Sequence, residues 1–336
     1  MKKTGKRLLA AMLLFCTILI GAAGYEVMAA DEAQSTESTS ETVNSADDLP
    51  GKRIGVQLGT TGDIYVSDYE SDGSGTVVER YNKGADAIQA LKQGKIDCVV
   101  IDEQPAIKFV EQNTGIRILD EEFTLEDYAF VVAKSNTELL DKVNSALEKL
   151  EADGTIANIQ KNYIGTEDEI GKFPYESKDV SHENGTLTVG TNAEFPPYES
   201  YEDGQIVGID MDIMRAVSDE LGMELKIEDM AFDSIIPAIS TGKVDIGAAG
   251  FTVTEERKKN VNFTDTYTTS KQVIIVKDDT VTSEKAGLSE KFYDNFVKDS
   301  RYVYLLKGLG NTLLITVLAL LVGVVFGFLI ALVRTN

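Results

Sequence analysis

One short unit occurs twice in this chain, and it constrains the fold more than any other feature of the sequence. In each copy a helical pattern is followed by glycine, lysine, an apolar residue and aspartate, and then by a short buried strand. The motif occupies residues 94–97 before the strand CVVI and residues 242–245 before the strand IGAA. Apolar runs that alternate with helices in this way predict α/β lobes with largely parallel sheets.

The two copies lie in separate globular stretches, at residues 49–165 and 185–277, which a polar linker at residues 166–184 joins. Residues 31–48 are rich in Ser, Thr and Glu and nearly free of large apolar side chains. Such a segment buries too little surface to offset its ordering entropy, so it predicts a disordered spacer.

The amino-terminal residues 1–30 have the pattern of a signal peptide. A basic start is followed by the apolar run Leu8–Gly24 and then by the small residues Ala29 and Ala30, as in segments that direct export. An uncleaved membrane anchor is the alternative. In both cases we expect the residues that follow to be extracellular.

The far end of the chain predicts a transmembrane helix at residues 307–336, after a juxtamembrane connector at residues 278–306. No charged residue lies between Gly308 and Val333, and a helix of that length can cross a hydrocarbon core of about 30 Å. A buried core helix is the alternative. Because one crossing helix forms no transport path, we expect the membrane part to be incomplete.

Charge and composition exclude several classes of function. The net charge of −23 argues against nucleic acid, whose phosphates need a basic surface. The chain has a single histidine, His182. A histidine-based metal site or a Ser/His triad is therefore difficult to assemble. We therefore expect no metal, no cofactor and no catalytic residues.

Polar residues follow the two buried strands, at the sheet edge where open α/β sheets collect ligands. Asp102 follows CVVI, whereas Gly250, Thr252 and Arg257 follow IGAA. An arginine grips a carboxylate with two hydrogen bonds, and an aspartate accepts from an ammonium group. The amides of the turn at Thr60 and Thr61 add donors for an anion. These groups together fit the zwitterion of an α-amino acid.

Each of these residues also has a local explanation. Asp102 is equally placed to cap the helix that follows it, and Arg257 belongs to the charged run EERKK, which is typical of a solvated face. Phe195 and Phe232 follow strands of the second stretch, where a ring either joins the core or covers the stem of a ligand.

Five longer motifs resemble the polar amino-acid substrate-binding protein family of bacterial ABC importers, whose members bind glutamine, histidine, arginine or cystine. They are GTLTVGTNAEFPPYES, GIDMDIMRAV, FDSIIPAISTGKVDIGAAGFTVTEERKKNVNFTDTY, GKRIGVQLGTTGD and CVVIDEQPA. The resemblance covers nearly all of both globular stretches. It implies a two-lobed, periplasmic-binding-protein-like α/β domain of type II with a central cleft.

The resemblance also implies roles for individual residues. Arg257 and Thr61 would hold the α-carboxylate of the ligand, and Asp102, Gly250 and Thr252 its α-amino group. The side chain of the ligand would lie between Phe195 and Phe232, with Asn192 and Gln57 at its tip. Because Asn192 stands where binders of basic amino acids often carry an acid, an uncharged side chain such as glutamine is favoured. The nearby Glu194 and Glu199 keep arginine and lysine open.

The order of the motifs departs from the family pattern, because the part that forms the second lobe comes first. Residues 49–165 would supply lobe 2 and the returning end of lobe 1, and residues 185–277 the opening part of lobe 1. Together they make one complete set of site residues. This predicts a circularly permuted domain, and the alternative is the exchange of halves between two chains.

The carboxyl-terminal tail resembles the start of the matching permease. The resemblance thus implies an extracellular binding domain on the cell membrane, fused to a permease subunit that works as a dimer with a cytoplasmic ATPase. Two other classes stay open: the ligand-binding domain of a sensor or channel, and a lyase or dehydratase that uses Glu194 as an acid in the cleft.

Overall fold

The computed structural model describes residues 42–121, 124–278 and 302–335 of the chain. The predicted signal peptide and most of the predicted juxtamembrane connector, residues 279–301, lie outside these residues.

The described residues form fourteen strands and eight α-helices, together with 3₁₀ turns at Ala46–Asp48, Asp68–Glu70 and Arg257–Lys259. The strands are β1 (Arg53–Gln57), β2 (Val77–Tyr81), β3 (Cys98–Asp102), β4 (Ile116–Ile118), β5 (Thr124–Tyr128), β6 (Val131–Ala133), β7 (Thr186–Thr191), β8 (Glu194–Phe195), β9 (Glu199–Glu202), β10 (Gln205–Val207), β11 (Glu224–Asp229), β12 (Ile246–Gly247), β13 (Val261–Phe263) and β14 (Thr268–Lys277). The helices are α1 (Thr61–Ser67), α2 (Gly84–Gln93), α3 (Glu103–Gln112), α4 (Thr137–Ala152), α5 (Thr155–Ile164), α6 (Ile209–Leu221), α7 (Phe232–Ser240) and α8 (Tyr302–Thr335).

The first lobe, residues 43–128 and 268–277, is built on a sheet of strand order β2-β1-β3-β14-β4, with β5 also paired to β14. Strands β1, β2 and β3 run parallel, and β14 is antiparallel to its neighbours. All five residues of β3 are buried, as expected for a central strand with both faces covered.

The second lobe, residues 131–263, is built on a sheet of order β11-β7-β12-β6-β13. Its strands β11, β7 and β12 are parallel, and β6 runs antiparallel between β12 and β13. A smaller antiparallel sheet, β10-β9-β8, is formed by the residues between β7 and β11. The predicted two-lobed α/β architecture is confirmed.

The chain passes between the lobes twice, at residues 129–130 and 264–267, and the two crossings contact each other. The ring of Phe130 stacks on that of Tyr267, with centroids 4.4 Å apart. The amide of Phe130 also donates to the hydroxyl of Thr264 at 3.0 Å. Two adjacent crossing segments form the hinge about which the lobes can close.

The repeated motif ends a helix in the same way in both lobes. Gly94 follows α2 with φ of 75°, and Gly242 stands two residues beyond α7 with φ of 72°. This left-handed conformation favours glycine, which lacks a Cβ. The apolar residue two positions later, Ile96 or Val244, is buried and anchors the turn in the core.

The aspartate of the motif ties the turn to the neighbouring strand. Asp97 accepts a hydrogen bond from the amide of Arg53 at 2.8 Å, and Asp245 accepts one from the amide of Thr188 at 2.7 Å. In each case the donor belongs to the strand that pairs with the one after the motif. The repeated unit therefore fixes the end of a helix beside a pair of parallel strands.

Two of the predicted segments need correction. Strand β14 ends the stretch 185–277, which was predicted to form part of lobe 1, here the second lobe. It lies instead in the sheet of the first lobe, which corresponds to the predicted lobe 2. Its apolar side chains, such as Ile274 and Val276, are buried with Val56 in the core of that lobe.

The second correction concerns the predicted spacer, because residues 42–48 are structured. Val43 is buried, and the Asp48 carboxylate accepts from the amide of Asn44 at 2.8 Å. The prediction was wrong here because one apolar anchor and local carboxylate bonds suffice to order a polar segment. Residues 31–41 lie outside the described part of the chain.

The polar linker at residues 166–184 lies along the second lobe. Asp219 of α6 accepts from the Tyr175 hydroxyl at 2.7 Å and from the Lys178 amide at 2.8 Å. The amide of Asn184 donates to the carbonyl of Gly222 at 3.1 Å. The linker is thus held by polar bonds, together with the partial burial of Tyr175 against the core.

A search of the described residues finds no helix that is both long and apolar enough to cross a membrane. The transmembrane helix expected at residues 307–336 stays a prediction from the sequence.

Candidate functional site

A small cavity lies in the cleft between the two lobes. It brings together all of the residues that the sequence predicted for the site. Its lining consists of Gln57, Thr60, Thr61, Asp102, Asn192, Phe195, Glu199, Phe232, Ala249, Gly250, Thr252 and Arg257. The first four come from the first lobe and the other eight from the second. Glu199 and Ala249 were not among the predicted site residues.

Arg257 is buried in the second lobe, with only 6% of its surface exposed. Its guanidinium donates to the carbonyl of Thr252 at 2.9 Å and, across the cleft, to that of Gly59 at 3.0 Å. The rings of Phe232 and Phe251 lie 5.4 and 5.5 Å from its central carbon, within the range of cation–π attraction. Burial lowers the pKa of Arg257. The solvated position that EERKK also allowed is excluded.

Asp102 ends strand β3 on the opposite side of the cavity and is 3% exposed. One carboxylate oxygen accepts a short hydrogen bond from the hydroxyl of Tyr128. Its side chain makes no capping bond to α3, so the local explanation does not account for its position. Burial, and then the charge of Glu126, raise the pKa of Asp102. A bound ammonium group would relieve both effects.

The two threonines of the site meet at a carboxylate that sequence reasoning missed. One oxygen of Glu126 accepts from the hydroxyls of Thr61 at 3.0 Å and Thr252 at 2.7 Å. The side-chain amide of Gln272 donates to the same oxygen at 3.2 Å. Thr61 and Thr252 belong to different lobes, so Glu126 links them when the cleft is closed. No local pattern marks Glu126, because its partners lie far away in the chain.

Two further contacts join the lobes around the cavity, and a third lies within the first lobe. Gln57 donates through its side-chain amide to Asn192 at 2.8 Å, so the two residues predicted at the ligand tip bond to each other. Thr60 caps α1, accepting from the amide of Asp63. At the mouth of the cleft, Lys83 forms an ion pair with Glu194. Since Glu194 is already paired with a cation, it makes a poor candidate for a catalytic acid.

Asp210 holds the loop that carries Gly250. One oxygen of Asp210 accepts from the Gly250 amide at 2.9 Å, and the other accepts from the Tyr267 hydroxyl at 2.5 Å. Burial raises the pKa of Asp210 to about 7. Gly250 has φ of 55°, and a Cβ there would stand 3.0 Å from the ring of Phe195. Asp210 therefore positions the backbone that lines the cavity, at a place where only glycine fits easily.

The aromatic residues of the site belong partly to the core and partly to the cavity. Phe195 is buried and stacks on Tyr198, with ring centroids 5.9 Å apart. Phe232 stacks on Phe251 at 4.8 Å. Both Phe195 and Phe232 also line the cavity, so the two explanations that the sequence left open apply together.

Glu199 is fully buried at 0% exposure, and neither of its side-chain oxygens has a hydrogen-bond partner among the described residues. Burial, and then the charges of Asp210 and Asp102, raise its pKa well above the ordinary value. The sequence marked Glu199 only as one of two acids near the ligand tip. Among the described residues, no cluster of His, Cys, Asp and Glu is arranged to hold a metal ion.

The family model described as bacterial extracellular solute-binding proteins, family 3, matches residues 74–166 and 187–304. These segments make up more than half of the chain. The chain belongs to this family. Family 3 consists of binding proteins rather than enzymes, and its members work outside the cytoplasm.

Several relatives of this family 3 protein are amino-acid-binding proteins. The arginine-binding protein ArgT of Corynebacterium glutamicum is 44% identical over 84 residues, covering 25% of this chain and 28% of ArgT. The arginine-binding extracellular protein ArtP of Bacillus subtilis is 40% identical over 93 residues, 28% of this chain and 36% of ArtP. The L-cystine-binding protein TcyJ of Escherichia coli K12 is 30% identical over 127 residues, 38% of this chain and 47% of TcyJ. The chain thus aligns with less than half the length of each of these relatives.

Two solved structures match a similarly small part of this chain. An ancestral arginine-binding protein bound to glutamine is 49% identical, over 24% of this chain and 36% of that one, with a TM-score of 0.24. The arginine-bound form of domain 1 of TmArgBP is 43% identical, over 29% of this chain and 83% of that one, with a TM-score of 0.25.

Proposed function

We propose that this chain is the amino-acid-capturing component of an ABC importer, with its two lobes on the extracellular side. The observation that carries the proposal is the placement of Arg257 and Asp102 on opposite walls of one closed cavity. A buried base facing a buried acid across a small cavity matches the two charges of an α-amino acid.

In this proposal the ligand replaces bonds that the lobes now make to each other. The α-carboxylate binds Arg257 and the amide of Thr61 in the first turn of α1, where amides lack intrahelical acceptors. The α-ammonium group binds Asp102, with Gly250 and Thr252 beside it. Because these groups come from both lobes, the full set of bonds exists only when the cleft is closed.

Two features of the cavity bear on the side chain of the ligand. Asn192 and Gln57 supply amide groups, which support the sequence prediction of an uncharged side chain such as glutamine. Glu199 supports a cationic side chain instead, and relatives that carry the names of arginine- and histidine-binding proteins point the same way.

We further propose that the domain is circularly permuted within one chain. Support comes from the way both stretches interleave in each lobe. Strand β14 of the second stretch lies between β3 and β4 of the first stretch, and β6 of the first stretch lies between β12 and β13 of the second. The linker at residues 166–184, bound along α6, would join what are the two ends of an unpermuted domain. Exchange of halves between two chains is the rival arrangement.

The fusion to a permease is a separate proposal that rests on the tail. The run from Gly308 to Val333 contains no charged residue, and the large side chains of Leu313, Leu314 and Ile315 are each more than half exposed. Apolar surface of this kind is stable only when a membrane or another protein covers it. After carbonate extraction, the full chain should stay with the membrane, while a chain ending at Asp278 should be released. Release of the full chain would refute the tether.

Calorimetry of the purified chain against the twenty standard amino acids and cystine tests the binding function. The proposal predicts that at least one of them binds, with one ligand per chain. If none binds at millimolar concentration, the chain is not an amino-acid receptor.

A further inference from the structure

The buried carboxyl of Glu199 has no partner in the closed cleft, although it lies against the ligand cavity. Glu199 stands directly opposite Phe195 in the antiparallel pair of β8 and β9, so the two side chains share one face of that pair. Both line the cavity. An ionised carboxylate without a partner is costly to bury, so Glu199 is ionised only when a positively charged group binds beside it.

The acids near Glu199 already have donors. Both oxygens of Asp210 accept hydrogen bonds, from the Gly250 amide and the Tyr267 hydroxyl. Asp102 accepts from Tyr128. Glu199 is thus the acid of the cavity wall for which the described residues supply no donor at either oxygen.

A count of charges on the cavity wall indicates the missing group. The wall carries two acids, Asp102 and Glu199, and one base, Arg257. A zwitterionic ligand with a neutral side chain pairs with Arg257 and Asp102 and leaves Glu199 buried alone. A ligand with one further positive charge pairs with all three residues and leaves the wall neutral.

We propose that Glu199 determines specificity by binding a positively charged side chain, so that the ligand is a cationic L-amino acid of the arginine type. This inference rests on the proposed amino-acid-binding function and names the substrate class of that site. Two unpartnered oxygens on one carboxylate match the paired N–H donors of a planar guanidinium. An ammonium group has no such planar pair of donors. The ring of Phe195, on the same face, is placed to cover the flat guanidinium or its stem.

The test compares two ligands of nearly equal shape on the unaltered full chain. Citrulline replaces the guanidinium of arginine by a neutral urea group and leaves the α-amino and α-carboxyl groups unchanged. Calorimetry should show arginine bound about 10- to 100-fold more tightly than citrulline, the range expected for charge-assisted bonds to a buried partner. Citrulline or glutamine bound as tightly as arginine would overturn the proposal and leave the amino-acid-binding function standing. If no amino acid binds, both proposals fail.

Two variants then assign the preference to one side chain. Glu199→Gln should reduce the ratio of arginine to citrulline affinity to within about threefold, since it removes the charge and keeps the shape. Glu202→Gln, an exposed change on the same strand, should keep the ratio of the unaltered chain. An unchanged ratio in Glu199→Gln would contradict the proposal. If that variant does not fold, the comparison of arginine with citrulline on the unaltered chain still decides.

Discussion

The two lobes share one way of setting a helix against a strand, yet they give the cavity different chemistry. In the first lobe the strand after the repeated motif ends at an acid, Asp102. In the second lobe it is followed by the small residues Ala248, Ala249 and Gly250 and then, after a loop, by Arg257. The same local structure therefore presents an acid from one side and a base from the other.

The lobes also differ in how the chain runs through them. The first lobe holds both β1 and β14, whereas the second lobe lies between the two crossings at residues 129–130 and 264–267. Closure thus moves an inserted lobe against the lobe that connects to the rest of the chain. The comparison teaches that neither lobe alone holds both charges of the ligand site.

The largest expected effect on ligand affinity comes from replacing Arg257, the buried cationic residue of the second lobe. Arg257→Ala should weaken the binding of every amino acid alike by about 5 kcal/mol, near the upper end for loss of a buried charged partner. Calorimetry with several ligands measures this loss. Arg257→Lys, which keeps the charge but not the paired donors, should recover part of it. Near-normal affinity in Arg257→Ala would refute its role.

The next effect concerns the stability of the fold and Asp210, the buried acid that holds the loop at Gly250. The folded pKa of Asp210, about 7, lies above the ordinary value of 3.8, so the native state keeps a proton that the unfolded chain has released. Its contribution to stability is therefore lost as pH rises from about 4 to about 7.

Asp210→Asn removes this dependence on pH. Relative to the unaltered chain, the free energy of unfolding of the variant should rise by on the order of 4 kcal/mol across that range. Urea unfolding at both ends of the range measures the difference. A constant difference would mean that Asp210 does not titrate there.

The acid of the first lobe should act through the ligand's amino group alone. Asp102→Asn should cost about 2 to 3 kcal/mol in the binding of the amino acid, because it removes the charge that faces the ammonium group. The matching desamino analogue, which has hydrogen in place of the α-amino group, serves as the control ligand. If Asp102→Asn weakens the amino acid and the analogue equally, the residue acts on structure instead.

The smallest effect belongs to the ion pair at the cleft mouth. Lys83→Met removes the partner of Glu194 and should weaken ligand binding by less than about 1 kcal/mol, as is usual for exposed pairs. The loss should shrink as salt is raised. Lys92→Met, on the exposed side of α2, is the matched control. A loss as large as that of Asp102→Asn would mean that this pair controls closure.

Much of the fold could be predicted because its signals are local. The repeated motif specifies a helix end, a buried apolar residue and a strand within a few residues. The residues at the strand ends were likewise placed in one cavity, because parallel strands end at a common edge.

What the sequence could not predict depends on distant partners. Strand β14 joins the first lobe through pairing with β3 and β4, which no local pattern encodes. Glu126 matters because Thr61 and Thr252 reach it from different lobes. The lack of any donor for Glu199 is a property of its whole surroundings, so only the folded structure reveals it.

We propose that one chain supplies both walls of one amino-acid site. Light scattering on the purified chain gives its mass in solution, and calorimetry on the same sample gives the number of ligands bound. We expect a monomer that binds one amino acid per chain. A dimer in which Asp102 of one chain completes the site of Arg257 in the other would contradict it.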